Sequence, residues 1–346
     1  MIHTNMVFKR ELPTPAELKE RYPLSKSFAQ LKARRDDEIK SILLGKDNRM
    51  LLIIGPCSAD REDAVLEYMK RLRSIQDKVK DVIFIVPRLY SNKPRTIGVG
   101  YKGILHQPDP DRESDLLKGI ITVRHMNVRV IEETGLTCAD EMLYPDTYYY
   151  LSDLLSYIAV GARSVENQMH RMTASGLAVP VGMKNPTSGN LTVMLNSIIA
   201  AQAGQNFIYR NWEVETSGNP FVHAILRGYE SKFGRSIPNY HYEDLQLLLS
   251  LYNEKNISNP ACIVDCNHAN SDKHCLDQIR IAKDVLQSRK HSDGIHSFVK
   301  GLMIESYLED GSQSPHERVY GKSITDPCLG WDKTETLIMD LAHLWE

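Results

Sequence analysis

At 346 residues the chain is long for one average domain and short for two large ones, a length that suits an α/β barrel with additions. Its 42% apolar and 25% charged content match an ordinary soluble protein, and a formal net charge of −2 argues against nucleic acid or an anionic membrane surface as the main partner. No stretch approaches about eighteen uninterrupted apolar residues, and Met1–Glu11 contains no apolar signal core. The six cysteines (57, 138, 262, 266, 275 and 328) form no CxxC pair and read as reduced thiols of a cytoplasmic protein.

Residues 1–45 are charged and helix-prone. Lys26 to Leu44 has the apolar spacing of an amphipathic helix packed on something else, so this segment reads as an N-terminal extension to a catalytic unit over 46–346. From residue 51 onward, short apolar runs alternate with amphipathic stretches. Strands are expected at 51–55, 83–88, 128–134, 158–163, 180–184, 206–210, 261–265 and 300–305, with helices over 63–76, 142–155, 193–203 and 276–286. Strand–helix alternation implies parallel pairing, and eight repeats point to closure into a (β/α)8 TIM barrel, with a six-stranded open sheet as the alternative if two runs are miscounted. The interval from about 211 to 240 is too long for a simple helix. Two apolar runs there, flanking Thr216-Ser217-Gly218-Asn219-Pro220, predict a β-hairpin inserted into the barrel.

Polar residues recur where these strands would end. Cys57 follows the first run, and Arg88 closes the second. Arg163 and Lys184 end the fourth and fifth, His268 follows the seventh, and Glu305 ends the eighth, with Asp326 in the loop beyond. In a parallel barrel those ends share one rim, so a thiol, an imidazole, carboxylates and several cations converge there. Cys57, His268, Glu305 and Asp326 are accordingly candidate ligands for one divalent metal ion. Mixed S/N/O donors suit Mn, Fe, Co or Zn without choosing among them. Taken singly, a cysteine after a strand is more often a small buried hydrophobe, and a loop histidine a hydrogen-bonding residue; the case rests on the four together. Arg88, Lys93, Arg95, Arg163, Lys184 and Arg227 supply more cations than one anionic group needs, which points to two phosphorylated ligands or a phosphate–carboxylate compound. Two other motifs fail on context. Gly98–Gly103 matches GxGxxG but neither directly follows a strand nor opens a helix, and Gly321-Lys322-Ser323 lacks the earlier glycine of a P-loop, having His316 there.

Six segments occur in register: Gly55-Pro56-Cys57-Ser58, Lys93-Pro94-Arg95-Thr96, Gly161-Ala162-Arg163, Pro180–Asn185, His268-Ala269-Asn270-Ser271 and Tyr320–Asp326. From about residue 12 to the C-terminus the chain resembles the type I 3-deoxy-D-arabino-heptulosonate 7-phosphate (DAHP) synthases. The resemblance implies a (β/α)8 barrel that condenses phosphoenolpyruvate with erythrose 4-phosphate and water in the first step of the shikimate pathway. By matching position it implies that Cys57, His268, Glu305 and Asp326 hold the metal. Arg163, Lys184 and Arg227 would hold the phosphoenolpyruvate phosphate, and Arg88 with Lys184 its carboxylate. Arg95 and Thr96 would grip the erythrose 4-phosphate phosphate, Lys93 would stand between the substrates, and Glu141 beside them. A homodimer or homotetramer, with the extension and the insertion in its contacts, and an aromatic amino acid effector are further implications.

Departures accompany the match. Ser91 and Asn92 replace the aromatic and glutamate common before Lys-Pro-Arg-Thr, and Tyr101 stands where tryptophan is frequent. The region of the relatives' feedback pocket reads Tyr144, Pro145, Tyr148, Tyr149 and Ala178, so neither feedback inhibition nor the identity of an effector carries over. The rival readings are a synthase using another aldose phosphate, against which Lys93-Pro94-Arg95-Thr96 argues, and a non-catalytic sensor barrel, which need not keep Lys93.

Overall fold

The protein is described by a computed structural model covering residues 5–95, 98, 100–317 and 319–345. The first barrel strands are β1 (Met50–Gly55), β2 (Ile83–Pro87), β3 (Ala139–Glu141), β4 (Tyr157–Val160) and β5 (Val181–Lys184). Next come β6 (Asn206–Tyr209) and β7 (Trp212–Glu215), then β8 (Val222–Leu226), the short β9 (Tyr229–Glu230) and β10 (Ser236–Ile237), β11 (Cys262–Asp265) and β12 (Val299–Glu305). Eight of these form one parallel sheet in the order β2-β1-β12-β11-β8-β5-β4-β3. The two edges meet through a parallel bridge between Arg88 and Ala139, with Leu89 N–H donating to the Ala139 carbonyl at 2.9 Å, and this closes the barrel. A strand such as Met50–Gly55 is buried at every residue because helices cover its outer face while the barrel fills its inner one.

Two expected strands are corrected. Residues 128–134 are the last turns of a helix, Leu116–Thr134. The Asp115 side chain caps its start by accepting from Lys118 N–H, and Gly135 ends it in the left-handed region at φ 67°. The β-branched run there is a helix face. Ile120, Val123, Val130 and Ile131 are all buried on it, and the real third strand is the three-residue Ala139–Glu141. Residues 206–210 likewise lie outside the barrel: β6 pairs antiparallel with β7 through Arg210-Asn211, both at positive φ (47° and 66°), as a tight hairpin turn requires. Two small antiparallel pairs are thus added to the barrel, the hairpin at 206–215 and, inside the expected 211–240 interval, β9 with β10, while Val222–Leu226 between them is the sixth barrel strand. The helix expected over 142–155 shortens to one turn, Pro145–Tyr148.

The other helices fall as the periodicity predicts: Glu62–Val79, Leu191–Gln202, Asp277–Lys290 and the N-terminal Lys26–Leu43. This last helix closes the lower end of the barrel. Its Ile39, Ile42 and Leu43 join the interior cluster with Leu51, Ile53, Phe84 and Met303. Its Arg35 lies over the Phe84 ring at 4.2 Å and donates to the Ile85 carbonyl at 2.7 Å. With that end plugged, ligands reach the interior from the opposite rim.

A buried polar pair lies inside the barrel, between Tyr157 and His223. His223 Nδ1 lies 2.9 Å from the Phe221 carbonyl, which only accepts, so Nδ1 carries the proton and Nε2 accepts from the Tyr157 hydroxyl at 2.7 Å. Burial pushes the His223 pKa down to about 4. The unfolded chain then binds the extra proton first, so stability is full above the ordinary histidine value near 6.5 and is lost as pH falls towards 4, by about 3 kcal/mol. Denaturant titrations at pH 7 and pH 4.5 are expected to show a smaller pH-dependent loss in His223→Gln than in the unaltered protein.

Candidate active site

All eight barrel strands point their C-terminal ends at one rim. In the β1–β12 register Gly55 faces Glu305, two residues before Cys57. Lys184 ends β5 beside Ile225 of β8, which brings it near Arg227 just after that strand. A cavity of about 360 Å³ opens at this rim, walled by Cys57, Arg88, Lys93, Arg95, Glu141, Arg163, Lys184, Arg227, His268, Glu305 and Asp326. Eleven of the twelve residues expected at the site from sequence thus share one pocket, and the twelfth, Thr96, lies outside the described residues.

Within the pocket, donor atoms of Cys57, Glu305 and Asp326 lie within 4.8 Å of one another. His268, the fourth expected ligand, stands just outside that cluster, its Nε2 3.8 Å from Glu305 Oε1. Its backbone occupies the left-handed region at φ 54°, a conformation costing about 1–3 kcal/mol, which the surrounding contacts must hold. A thiol, two carboxylates and an adjacent imidazole are a donor set that fits a borderline divalent ion.

Lys93 lies among these donors, its Nζ 2.7 Å from Cys57 Sγ and 2.8 Å from Asp326 Oδ2. Burial works against its charge, but Cys57, Asp326 and Glu305 outweigh that, and its pKa lies above the ordinary lysine value. Burial likewise opposes ionisation of Asp326, yet Lys93 and His268 hold its pKa well below the usual carboxylate range. Burial dominates at Cys57 and lifts the thiol to about 12. The loop carrying Lys93 is anchored by Ser91, whose hydroxyl and N–H both donate to Asp140, at 2.5 and 2.9 Å. The departure from the family pattern at Ser91 is thus a structural tie rather than a gap.

The cations divide into two kinds. Arg88 is 1% exposed, donates to Glu305 at 2.9 Å and stacks 3.9 Å over the Tyr90 ring, while among the described residues its Nε and Nη1 have no partner. Arg227 is also buried with an unpartnered Nη1, and burial lowers its pKa. Buried guanidinium hydrogens left without acceptors lose several kcal/mol of solvation, so these groups are poised for an anion. Arg163, by contrast, is exposed on the rim, and Arg95 spends its Nε on the Tyr101 carbonyl at 2.7 Å. The glycine of Gly161-Ala162-Arg163 leaves room for the Glu141 carboxylate, since a Cβ there would lie 2.2 Å from Glu141 Oε1 and push that side chain aside.

The sequence reading missed the groups behind this front row. Asp265 is fully buried and sits between Lys184 (Nζ–Oδ2 3.1 Å) and His268 (Nδ1–Oδ2 2.9 Å). Asn267 donates to Glu305 Oε2 at 2.5 Å, and Lys273 to Asp326 Oδ1 at 3.0 Å. One signal was available: a strand-terminal aspartate three residues before a candidate ligand histidine is placed to orient it.

The fold and pocket define a class: a parallel-barrel protein whose mixed thiol–carboxylate centre faces a ring of cations built for phosphorylated substrates. Comparison narrows this. The profile of the DAHP synthetase I family matches residues 23–339, and the chain belongs to that family. The Trp-sensitive phospho-2-dehydro-3-deoxyheptonate aldolase of Escherichia coli K12 is 38% identical over 96% of this chain and 94% of its own length. The Tyr-sensitive enzyme of Salmonella typhimurium is 37% identical over 95% of this chain and 92% of its own. Among solved structures, phospho-2-dehydro-3-deoxyheptonate aldolase from Francisella tularensis superposes with a TM-score of 0.91 at 32% identity, covering 98% of both chains. Among the described residues no helix is long and apolar enough to cross a membrane.

Proposed function

We infer that this protein is a DAHP synthase: C3 of phosphoenolpyruvate attacks the aldehyde carbon of erythrose 4-phosphate, water adds at C2, and the tetrahedral intermediate expels phosphate by C–O cleavage. The observation carrying this reading is that one cavity brings the Cys57/Glu305/Asp326 donors together with Arg88, Lys93, Arg95, Arg163, Lys184 and Arg227. Two phosphate dianions held about 6 Å apart repel by roughly 10 kcal/mol at an effective dielectric of 20. A site that joins such substrates must supply that stabilisation from fixed cations, and among the described residues this one is walled by these six and by Lys273.

In our assignment the buried, unpartnered guanidinium hydrogens of Arg227, with Lys184 and the exposed Arg163, take the phosphoenolpyruvate phosphate. Arg88 and Lys184 take its carboxylate. Arg95, stiffened by Pro94, and Thr96 take the phosphate of the aldose at the outer rim. Cys57, His268, Glu305 and Asp326 would hold a divalent ion, which when bound supplies Lewis-acid polarisation of the aldehyde oxygen. Lys93 keeps its proton at neutral pH and stands beside those donors, placed to give that proton to the developing alkoxide.

The test is phosphoenolpyruvate consumption by chelator-stripped protein with Mn, Fe, Co or Zn restored, comparing erythrose 4-phosphate with arabinose 5-phosphate. Metal-restored turnover favouring the four-carbon sugar, and lost in Cys57→Ala, is expected. Faster turnover of the five-carbon sugar would replace the acceptor, and silence with both under every ion would sink the enzymatic reading. Tryptophan, tyrosine and phenylalanine added to the same assay read whether this chain responds as its named relatives do.

A further inference from the structure

A second cavity of about 630 Å³ lies at the opposite end of the barrel, walled among others by Arg49, Asp81, Arg289, His296, Lys300 and Trp345. It is remote from the catalytic rim: Lys300 stands at the start of β12, whose other end is Glu305. Arg289 is 6% exposed and lies 3.3 Å over the Trp345 ring. Its Nη2 donates to the His296 carbonyl at 3.2 Å, but its Nε is buried without a partner. Lys300 is partly buried, its Nζ packed against Gly45, 3.1 Å from where a Cβ would stand. Among the described residues neither cation has a carboxylate partner within ion-pair distance, and the nearby Asp47 is already engaged by Arg49 through contacts of 3.0 and 2.5 Å.

A purely structural account covers part of this. Arg289 sits in the last turn of the helix Asp277–Lys290, where the helix dipole favours a cation, and the indole face favours a guanidinium. Neither effect explains a second, unneutralised ammonium beside it. Burial lowers the Lys300 pKa and Arg289 lowers it further; His296 is lowered by burial and by both cations. Like charges in a partly desolvated cavity are stable only at a cost that an anion between them would remove.

We propose that this lower cavity is an anion site, taking a phosphate- or carboxylate-bearing small molecule between Arg289 and Lys300. Arginine's planar fork and lysine's point charge are the pair that such oxyanions use. The site is separate from the substrate pocket, so a ligand there need not resemble either substrate.

The test compares melting of the unaltered protein, Lys300→Met and Lys300→Arg in chloride, in inorganic phosphate and in citrate at matched ionic strength. The catalytic pocket is identical in all three, so its own response to anions cancels, and turnover measured alongside reports on it independently. In chloride Lys300→Met is expected to melt higher than the unaltered protein, because one of two unneutralised cations is gone. The stabilisation given by phosphate or citrate should be smaller in Lys300→Met by about 2 °C and preserved in Lys300→Arg. Equal anion shifts in all three proteins would overturn the proposal, as would a Lys300→Met protein that melts lower in chloride. Loss of the catalytic reading would appear separately, as absent turnover in the unaltered protein.

Discussion

Replacing Lys93 with methionine is expected to lower turnover about 10³-fold while leaving the circular dichroism close to that of the unaltered protein. The magnitude follows from what the side chain supplies. Its ammonium lies within 3 Å of both Cys57 Sγ and Asp326 Oδ2, and in our mechanism it is also the proton source for the alkoxide. Loss of a positioned proton donor costs 10²–10⁴ in rate, and loss of a fixed charge facing developing negative charge costs 10²–10³. Lys93→Arg should not restore the rate, because a planar fork cannot occupy the space of a point charge between a thiol and a carboxylate. The fold is spared because the loop is held by Ser91 on Asp140 and by Lys93 N–H on the Lys102 carbonyl, neither of which uses the ammonium. A second readout separates catalysis from metal capture. An ion entering the Cys57/Glu305/Asp326 cluster must break the Lys93–Cys57 contact, so Lys93→Met should bind a divalent ion more tightly in a direct titration even as turnover falls. A variant that loses activity and metal affinity together would show that Lys93 supports the ligand set rather than the chemistry.

The sequence was legible where chemistry and strand ends coincide. Cys57, Arg88, Lys184 and Glu305 each follow an apolar run, and parallel pairing carries such positions to one rim whatever the rest of the chain does. Periodicity failed where the local pattern was ambiguous. Val128–Thr134 is rich in β-branched residues, yet Asp115 and Gly135 cap it as a helix, while a three-residue strand such as Ala139–Glu141 gives no period to read. A strand pair within 211–240 was foreseen and β9 with β10 supplies one, but the 206–215 hairpin was not: Phe207 and Ile208 look like barrel residues until the positive φ of Arg210 and Asn211 turns the chain back on itself. Partnering was the least legible layer. Nothing local says that the Asp265 carboxylate holds both Lys184 from β5 and His268 from the following loop. That depends on β8 lying between β5 and β11 in the sheet, a fact of tertiary order.

Asp265 therefore makes the second large prediction. Asp265→Ala is expected to lose about 3–5 kcal/mol of stability, because Lys184, itself 2% exposed, would be left as a buried ammonium without its carboxylate. Asp265→Asn keeps the volume and one acceptor, so its stability loss should be smaller, but its effect on metal binding should persist. Burial opposes ionisation of Asp265, but His268 first, then Lys184 and Arg88, hold its carboxyl well below the usual carboxylate range, so it only accepts. The 2.9 Å approach of His268 Nδ1 to Asp265 Oδ2 is not aligned as a hydrogen bond; a small ring rotation that let Nδ1–H donate to the carboxylate would leave Nε2 as a lone pair beside Glu305, the tautomer a metal ligand requires. An asparagine can present either an oxygen or an NH₂ and no longer fixes that choice. Metal affinity in Asp265→Asn is expected to fall 10–100-fold, read by titration of the stripped protein, with turnover recovering as the ion concentration is raised. Unchanged affinity, with only the melting temperature lowered, would confine Asp265 to balancing the charge of Lys184 and leave His268 to orient itself.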